Sequence, residues 1–342
     1  MADPADFRVR LEFKVAEQLH ARRVAYLLGA GSSYLDGDGY PLAGQLWDLI
    51  KARIRDTTQR DAIQAKLDGG ATGLEQALDQ LDDGSFAPAM HRLSVVDAIA
   101  EFFESLRPPL GIHVDFLKRL SQKANPLLKL FTLNYDPLPE RAAEGGRIRL
   151  YDGYTGHEDA YFEPEMFEER LGRIRGTYKG RQFDETTKPI HLIKLHGSLG
   201  WYECTHRGIR RCTFSAPVPA STKRLMVPPH NRKANDTMMP PYSILWSAFR
   251  GSLGQDGIPV NRLACIGYGF LDEHVNAVIE GALARTDFSL LIFARALTDV
   301  AWARWSPKTN TIVVTEARCS LKSEVGPGHP DLWRFERIAK EV

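Results

Sequence analysis

Two short motifs place polar side chains directly after apolar, strand-like runs. Asn134 and Asp136 follow the run Leu128–Leu133, and His196 follows the run that begins at His191. An amide and a carboxylate supply a dipole and a negative charge, and an imidazole titrates near neutral pH. Together such groups can position a water molecule, stabilise developing positive charge and accept a proton. Asn134, Asp136 and His196 are therefore candidate catalytic residues.

Each of these motifs also has a purely structural interpretation. Asn and Asp both favour Asx turns, so Asn134 and Asp136 taken alone would indicate only a turn. A single histidine at a strand end is more often a structural residue than a catalytic one. Function is favoured here because several polar clusters follow strand-like runs. The carboxyl ends of parallel strands are where open sheets bind their ligands.

A glycine-rich turn follows the first strand-like run of the chain. The turn consists of Gly29, Ala30, Gly31, Ser32 and Ser33. Glycine lets the backbone approach a pyrophosphate, whose charge can then be bound by free N–H groups. The strict Gly-x-Gly-x-x-Gly fingerprint is broken at Tyr34, which argues against a dehydrogenase. A tight strand-to-helix turn without a ligand is the alternative.

A second glycine turn lies later in the chain. The apolar run that contains Cys265 ends in Gly267, Tyr268 and Gly269, and a helical pattern follows. Such a turn is suited to contact with a ribose or a phosphate, so these three residues are predicted to bind a nucleotide. An ordinary turn between a strand and a helix would look the same.

The elements that must position these motifs alternate along the chain. Leu42, Leu46 and Ile50 repeat every four residues after Pro41, which is the helical pattern expected between strands. Strand–helix alternation predicts an α/β fold with a doubly wound, Rossmann-like parallel sheet of about six strands. The predicted strands are Val24–Leu28, Leu128–Leu133, His191–Leu195, Leu263–Gly267, Ser289–Phe293 and Thr311–Val314.

Uneven spacing of the predicted strands indicates insertions. We predict one Rossmann-like domain, residues 1–57 and 126–342, interrupted by a helical inserted subdomain at residues 58–125. A second insertion near residues 148–188 has no firm period. The polar, proline-rich stretch Cys204–Thr237 is predicted to run as a long loop.

Composition limits the partners and the location. The 342 residues carry a formal net charge of +1, so no overall field would attract nucleic acid or an anionic membrane. Residues 1–10 lack an apolar signal core, and the apolar stretch Phe288–Ala303 is interrupted by Arg295 and Asp299. We therefore expect a cytoplasmic protein without direct nucleic-acid or membrane binding.

The cysteines do not indicate a metal centre. Cys204, Cys212, Cys265 and Cys319 include no Cys-x-x-Cys pair, which is the usual element of a zinc ribbon. Cys204, His206 and Cys212 form an alternative ligand set. The expectation from this spacing is that no zinc is bound.

Taken in order, the motifs resemble those of the sirtuin-like domains of bacterial anti-phage defence systems. Residues 29–33 resemble the Gly-Ala-Gly-x-Ser loop of sirtuins, and residues 132–136 resemble their Thr-Gln-Asn-x-Asp segment. Residues 195–197 match the Leu-His-Gly segment that holds their catalytic histidine. Residues 267–270 resemble a Gly-Tyr-Ser-Phe turn of the bacterial branch, and residues 39–41 stand where sirtuins carry Gly-Ile-Pro. The four-cysteine zinc module of deacylating sirtuins is missing, so the resemblance is to a zinc-free branch.

This resemblance implies an NAD⁺ glycohydrolase that cleaves the nicotinamide–ribose bond to give ADP-ribose and nicotinamide. NAD⁺ would be the substrate, with its pyrophosphate held by residues 29–33. Asn134 would orient the attacking water, and Asp136 would lie beside the nicotinamide ribose. His196 would contact the ribose hydroxyls and act as a general base. An NAD-dependent deacylase or ADP-ribosyltransferase, and a non-catalytic NAD-binding scaffold, are the alternative functions.

The resemblance also implies regulation. Unrestrained loss of NAD⁺ is toxic to a cell, so an NAD-depleting effector of defence, acting by abortive infection, would be inactive until triggered. We expect a homo-oligomer and, as a partner, a HerA-like ATPase, with a short Argonaute as the alternative partner.

Overall fold

The computed structural model describes residues 4–81, 90–123, 128–157, 159–168, 171–177, 180–187, 189–214, 216–219, 222–228, 238–254 and 260–342. The α-helices of this part of the chain are α1 (Pro4–Leu19), α2 (Ala30–Tyr34), α3 (Ala43–Ile50), α4 (Thr57–Asp68), α5 (Leu74–Leu81), α6 (Met90–Ser105), α7 (Gly111–Gln122), α8 (Leu138–Gly146), α9 (Tyr242–Leu253), α10 (Glu273–Leu283), α11 (Asp299–Trp305) and α12 (Phe335–Glu341). Short 3₁₀ helices lie at Leu35–Gly37, Lys51–Arg53 and Pro164–Phe167.

The strands fall into three sheets. The first eight are β1 (Val24–Leu28), β2 (Leu128–Thr132), β3 (Leu150–Tyr151), β4 (Tyr154–Thr155), β5 (Ala160–Phe162), β6 (Leu171–Thr177), β7 (Gly180–Thr187) and β8 (Ile190–Lys194). The remaining strands are β9 (Gly197–Cys204), β10 (Gly208–Arg211), β11 (Lys223–Met226), β12 (Arg262–Ile266), β13 (Ser289–Phe293), β14 (Thr311–Val314), β15 (Arg318–Leu321) and β16 (Glu324–Pro327).

The main sheet has nine strands in the order β16-β15-β14-β13-β12-β1-β2-β8-β3. Every neighbouring pair from β14 to β3 is parallel, whereas β15 and β16 add an antiparallel hairpin at one edge. All residues of β1 are buried, because Tyr26 and Leu28 pack into one hydrophobic cluster and Ala25 and Leu27 into another. Burial on both faces is typical of parallel strands that helices cover on both sides.

The predicted α/β class and doubly wound parallel sheet are confirmed. All six predicted strands are present, with bounds that differ by at most one residue at either end. The sheet has three strands more than predicted. They are the two-residue strand β3 at one edge and the hairpin β15–β16 at the other edge. A two-residue edge strand is too short to produce any hydrophobic period, so its sequence could not indicate it.

The direction in which strands are added to the sheet reverses beside β1. From β1 the chain adds β2 and then β8 on one side, and it later adds β12, β13 and β14 on the other side. The reversal lies between β1 and β12, which pair in parallel from Val24 opposite Arg262 to Leu28 opposite Ile266. Open α/β sheets bind ligands outside the carboxyl ends of their strands at such a point. The topology therefore indicates where a ligand site is expected.

The helices between β1 and β2 contribute to two different cores. Helices α3 to α6 share a hydrophobic cluster that contains Trp47, Ile63, Leu78 and Ile99. Helix α7 instead contributes Phe116 and neighbouring apolar residues to a cluster on the main sheet. The predicted boundary of the inserted subdomain, at residues 125 and 126, lies outside the described residues.

A second, antiparallel sheet takes its strands from the second insertion, from the predicted long loop and from the segment between them. Its strand order is β11-β9-β10-β5-β4, and β6 pairs with β7 in a separate hairpin. The prediction of a long loop over Cys204–Thr237 was therefore wrong for β10 and β11, although residues 229–237 lie outside the described part. Both strands pair with the buried strand β9 through main-chain hydrogen bonds; β10 has no buried side chain, whereas Leu225 and Met226 of β11 are buried.

Among the described residues, no helix combines the length and the apolar character that spanning a membrane requires.

Candidate functional site

The carboxyl ends of β1, β2, β8 and β12 surround one cavity of about 190 Å³, here called the first cavity. Its walls come from the two glycine turns, from the polar residues that follow β2 and β8, and from helices α3, α5 and α6. The lining residues are Gly29, Ala30, Ser33, Tyr40, Pro41, Ala43, Leu46, Glu75, Phe103, Leu133, Asn134, Tyr135, Asp136, His196, Gly267, Tyr268, Gly269, Leu271 and Asp272.

The two glycine turns pack against each other through their backbones. The amide of Gly31 donates to the carbonyl of Gly267 at 2.9 Å, and the amide of Gly29 donates to that of Ile266 at 2.9 Å. A Cβ on Gly31 would lie 2.8 Å from the Gly267 Cα, and a Cβ on Gly267 would lie 2.4 Å from the Ser32 nitrogen. Gly267 also has a positive φ of 68°. Glycine is needed here because no side chain fits between the two turns.

The glycine-rich turn after β1 presents only part of its predicted binding set to the cavity. Gly29, Ala30 and Ser33 line the cavity, whereas Gly31 and Ser32 are not among the lining residues. Ser32 is fully buried, and its hydroxyl donates to the carbonyl of Gly29 at 2.8 Å. Ser32 therefore closes the turn from inside. From the later turn, Gly267, Tyr268 and Gly269 all line the cavity.

Asn134 connects the end of β2 to the turn after β1. Its Nδ2 donates to the carbonyl of Gly29 at 3.0 Å and to the hydroxyl of Ser33 at 2.9 Å. Its main-chain amide donates to the hydroxyl of Thr132 at 3.0 Å. Asn134 is thus held in a fixed orientation at the wall of the cavity, with its amide nitrogen turned towards the turn.

Asp136 is a buried carboxylate at the same wall, with 2% of its surface exposed. Its Oδ1 accepts a hydrogen bond from the amide of Leu138 at 3.1 Å, so the Asx turn that its sequence allowed is present. Burial raises the pKa of Asp136, and the positive charge of Lys194 and the hydroxyl of Ser33 oppose that rise. A carboxylate placed in this way is stabilised when a positive charge approaches it.

A buried ion pair lies behind Asp136. Lys194, at the end of β8, is fully buried, and its Nζ donates to the main-chain carbonyl of Asp136 at 2.6 Å. The same Nζ donates to Oε1 of Glu140 at 2.9 Å. Lys194 therefore fixes the backbone of the predicted catalytic segment to helix α8.

His196 lies at the end of β8 with 3% of its surface exposed, and it lines the cavity. Its ring centroid lies 5.8 Å from that of His274, which in turn lies 4.6 Å from the ring of Trp246. Gly197 follows with φ of 79°, and a Cβ there would lie 2.0 Å from the carbonyl of Leu225. Glycine is therefore needed after the histidine, because a side chain there would overlap the backbone of β11.

The opposite wall comes from helices and was not predicted in full. Phe103 of α6 and Glu75 of α5 line the cavity, and the Tyr40 ring centroid lies 4.8 Å from that of Phe103. Burial raises the pKa of Tyr40, and the neighbouring charge of Asp136 raises it further. Tyr40 belongs to the segment that resembles a sirtuin motif. Glu75 and Phe103 belong to no local motif, because they meet only through the packing of separate helices.

Tyr268 anchors the start of helix α10 beside the cavity. Its hydroxyl donates to Oδ1 of Asn276 at 3.1 Å and accepts a hydrogen bond from the amide of Asp272 at 3.2 Å. The amide nitrogen of Asn276 donates to the carbonyl of Phe270 at 3.0 Å. This network fixes the turn that carries Gly267 and Gly269.

Within the described residues, no group of three or more His, Cys, Asp and Glu side chains could hold a metal ion. Cys204 and Cys212 are both free thiols, and Cys212 lies against the carbonyl of Gly200.

No protein-family model matches the sequence, and no curated protein matches it. Several solved Sir2 structures are similar at low identity. A Sir2 homolog–NAD complex is 16% identical with a TM-score of 0.47, covering 96% of this chain and 94% of that chain. Sir2 bound to an acetylated peptide is 12% identical with a TM-score of 0.44, covering 96% of each chain. Sir2Tm bound to a propionylated peptide is 14% identical with a TM-score of 0.40, covering 84% of this chain and 87% of that chain. The fold assignment rests on the strand order of the main sheet.

Proposed function

We propose that this protein is an NAD⁺ glycohydrolase, which cleaves the nicotinamide–ribose bond of NAD⁺ to give nicotinamide and ADP-ribose. The observation that carries the proposal is that Asn134, Asp136 and His196 line one cavity together with the glycine turns, at the point where the strand order reverses. Four separate strand ends supply these groups and turns, so their meeting is a property of the fold and not of one local turn.

The charge of the substrate matches the environment of Asp136. Nicotinamide is a cationic leaving group in NAD⁺, and breaking its bond develops oxocarbenium character on the ribose. Burial disfavours the charged form of Asp136 in the protein without a ligand. A cationic nicotinamide ribose beside the carboxylate would restore the charged form, and the carboxylate would then stabilise the transition state.

Asn134 and His196 would act on water and on the ribose. Because Nδ2 of Asn134 donates to the turn after β1, its Oδ1 is the atom that would accept a hydrogen bond from an attacking water. His196 would accept the proton from that water or from a ribose hydroxyl. Water then bonds to the anomeric carbon, the carbon–nitrogen bond breaks, and nicotinamide leaves with the electron pair of that bond.

The pyrophosphate would lie along the glycine turns. Ala30 and Ser33 face the cavity at the start of α2, and Gly267 and Gly269 approach from the other side. Backbone amides at such a turn bind phosphate oxygens. The cavity, at about 190 Å³, is smaller than the roughly 300–1,000 Å³ of a complete ligand pocket. It would therefore enclose one end of the dinucleotide and leave the other end along the open face of the turns.

The test is the release of nicotinamide and ADP-ribose from NAD⁺ by the purified chain, measured with and without a co-expressed HerA-like ATPase. We expect Asn134→Ala and His196→Ala each to lower turnover by about 100-fold to 10,000-fold. His206→Ala is the matched control, because His206 is an exposed histidine that does not line the first cavity. Equal loss in the control variant would show that turnover depends on stability and not on the site.

Other outcomes of the same experiment would favour the alternatives. Release that requires an acylated peptide, with an ADP-ribosyl adduct among the products, would favour an NAD-dependent deacylase or ADP-ribosyltransferase. NAD⁺ binding without product under any condition would favour a non-catalytic scaffold.

The cellular role is part of the proposal and rests on the resemblance of the four motifs. An NAD-depleting effector of anti-phage defence would be a cytoplasmic homo-oligomer that is held inactive. A HerA-like ATPase, or alternatively a short Argonaute, would relieve that inhibition. Activity of the purified chain that exceeds its activity in the complex would contradict activation by the partner.

A further inference from the structure

A second cavity of about 570 Å³ is lined in part by helix α8, which begins two residues after Asp136. Helix α8 forms one wall with Glu140 and Arg141, and the loop between β3 and β4 and the end of β10 form the opposite wall. Its volume lies in the range of about 300–1,000 Å³ that is typical of small-molecule sites. None of the predicted catalytic residues lines it.

Two side-chain oxygens of residues that line the second cavity are buried and have no hydrogen-bond partner among the described residues. They are Oε2 of Glu140, whose residue is 8% exposed, and the hydroxyl of Tyr154, whose residue is 4% exposed. Oε1 of Glu140 is already bound to Lys194. A buried carboxylate oxygen without a donor is unfavourable, so this wall is arranged for a ligand that carries hydroxyl donors.

The remaining charges of the second cavity favour an anion. Asp152 is neutralised by its hydrogen-bonded ion pair with Arg211. Among the described residues, neither Arg107 nor Arg141 forms an ion pair, although Nη1 of Arg107 donates to the carbonyls of Glu104 and Leu106. Glu144 is the one further carboxylate among the lining residues. A pair of guanidinium groups binds phosphate oxygens well.

We propose that the second cavity binds a phosphorylated sugar, either free or as the ribose phosphate of a nucleotide. The sugar hydroxyls would donate to Oε2 of Glu140 and bond with the hydroxyl of Tyr154. The phosphate would bind to Arg107 and Arg141.

The second cavity is joined to the first by a short chain of hydrogen bonds. Glu140 binds Nζ of Lys194 at 2.9 Å, and that Nζ binds the carbonyl of Asp136 at 2.6 Å. Helix α8 begins two residues after Asp136 and carries Glu140 in its first turn. A ligand that attracts the Glu140 carboxylate would therefore shift the Lys194 contact and the position of Asp136. The regulatory consequence rests on the proposed function, whereas binding to the second cavity does not.

Binding is tested by calorimetric titration of the full chain with ribose 5-phosphate in the absence of NAD⁺. We expect a dissociation constant of about 1 mM or tighter. Arg141→Ala should weaken binding by about tenfold or more, and Tyr154→Phe by about threefold. Arg149→Ala, an exposed arginine outside both cavities, should leave the affinity unchanged and is the matched control.

Further titrations identify the source of the ligand and the cavity that binds it. Inorganic phosphate and ribose should each bind more weakly than ribose 5-phosphate, and AMP should bind at least as well if the natural ligand is a nucleotide. Binding that persists in Asn134→Ala belongs to the second cavity. An affinity for ribose 5-phosphate that neither Arg141→Ala nor Tyr154→Phe alters would overturn the proposed site.

The link to Asp136 has its own test. NAD⁺ affinity and NAD⁺ turnover are measured with and without saturating ribose 5-phosphate, since coupling between two sites must be visible in binding. We expect a change of about threefold or more in either quantity, absent in Arg141→Ala. Identical values at saturation would overturn the coupling. Loss of turnover in every sample, with ribose 5-phosphate binding intact, would count against the glycohydrolase and not against the second site.

Discussion

The two walls of the first cavity are built in different ways. The strand-end wall consists of the turns after β1, β2, β8 and β12, and main-chain hydrogen bonds such as Gly31 to Gly267 hold it together. The helical wall consists of Tyr40, Leu46, Glu75 and Phe103, and it depends on side-chain packing. The strand-end wall also supplies the amide, carboxylate and imidazole, whereas the helical wall supplies mainly apolar surface.

The strand-end wall therefore positions the polar groups, whereas the helical wall encloses them. Hydrogen-bonded turns at strand ends can hold reacting groups in a fixed geometry, which is what a catalytic arrangement requires. A wall made of packed helices excludes water and can be altered without moving those groups. Substitutions where the two glycine turns meet should therefore cost the most stability, while substitutions in the helical wall should cost less and also change the environment of Asp136.

The largest effect is expected where the glycine turns meet. Gly267→Ala would place a Cβ 2.4 Å from the Ser32 nitrogen at a φ of 68°. Left-handed strain and overpacking should together lower the free energy of unfolding by about 2–5 kcal/mol, measured by urea denaturation. Gly269→Ala is the control, because its Cβ would meet only the Leu271 side chain at 3.9 Å. Equal losses for both variants would contradict the backbone-contact argument.

The pH dependence of the free energy of unfolding should distinguish α7 from the other helices that follow β1. His113 of α7 is buried against Phe335, and burial lowers its pKa to about 3. An unfolded histidine binds a proton near pH 6.5, so below that pH the unfolded state binds more protons and stability falls towards pH 3. At pH 5 the loss from His113 is about 2 kcal/mol. The midpoint of urea unfolding should therefore be lower at pH 5 than at pH 7.5. His113→Phe should remove the part of this difference that comes from His113.

The control for this prediction is His206→Phe, which changes an exposed histidine and should leave the pH dependence as in the wild type. Global unfolding should show the effect, because α7 packs in the core of the main sheet. A pH dependence confined to local opening of α3 to α6 would contradict this assignment of α7.

The contrast between the walls also explains what the sequence could predict. Asn134, Asp136, His196 and Gly267 follow strands, so a local pattern of apolar run and polar end was enough to find them. Glu75 and Phe103 come from helices that meet only in three dimensions, and no spacing links them. Local sequence motifs therefore indicate the residues of the strand-end wall, whereas the residues of the helical wall come together only through tertiary packing.

A glycine motif locates a turn in the fold, but it does not identify what each residue of the turn contacts. The turn at residues 29–33 is predicted to hold a pyrophosphate; Gly29, Ala30 and Ser33 line the first cavity, whereas Gly31 and Ser32 do not. Glycine spacing indicates close approach of some backbone, and it cannot say whether the approaching group is a ligand or another turn. The strands β10 and β11 were not predicted, because pairing with β9 through main-chain hydrogen bonds requires no particular pattern of side chains.

A smaller effect is expected in the helical wall. Phe103→Leu would remove part of the contact with Tyr40 and cost about 1.5 kcal/mol of unfolding free energy. It would also admit water to Asp136, whose pKa is raised by burial, and so lower that pKa. If the carboxylate is the active form, the acidic limb of kcat/KM for NAD⁺ should move to lower pH. Phe102→Leu, next to it but outside the lining, should not move the limb.

The smallest effect tests whether hydrogen bonds hold the strand-end wall. Tyr268→Phe would remove the bonds of its hydroxyl to Asn276 and to the Asp272 amide, so we expect a loss of about 1 kcal/mol in the free energy of unfolding. Tyr26→Phe is the matched comparison, because the Tyr26 hydroxyl is fully buried in β1 and has no hydrogen-bond partner among the described residues. That substitution should be neutral or stabilising, since it removes an unsatisfied polar atom. If both substitutions cost the same, the strand-end wall owes its rigidity to ring packing, and the contrast with the helical wall disappears.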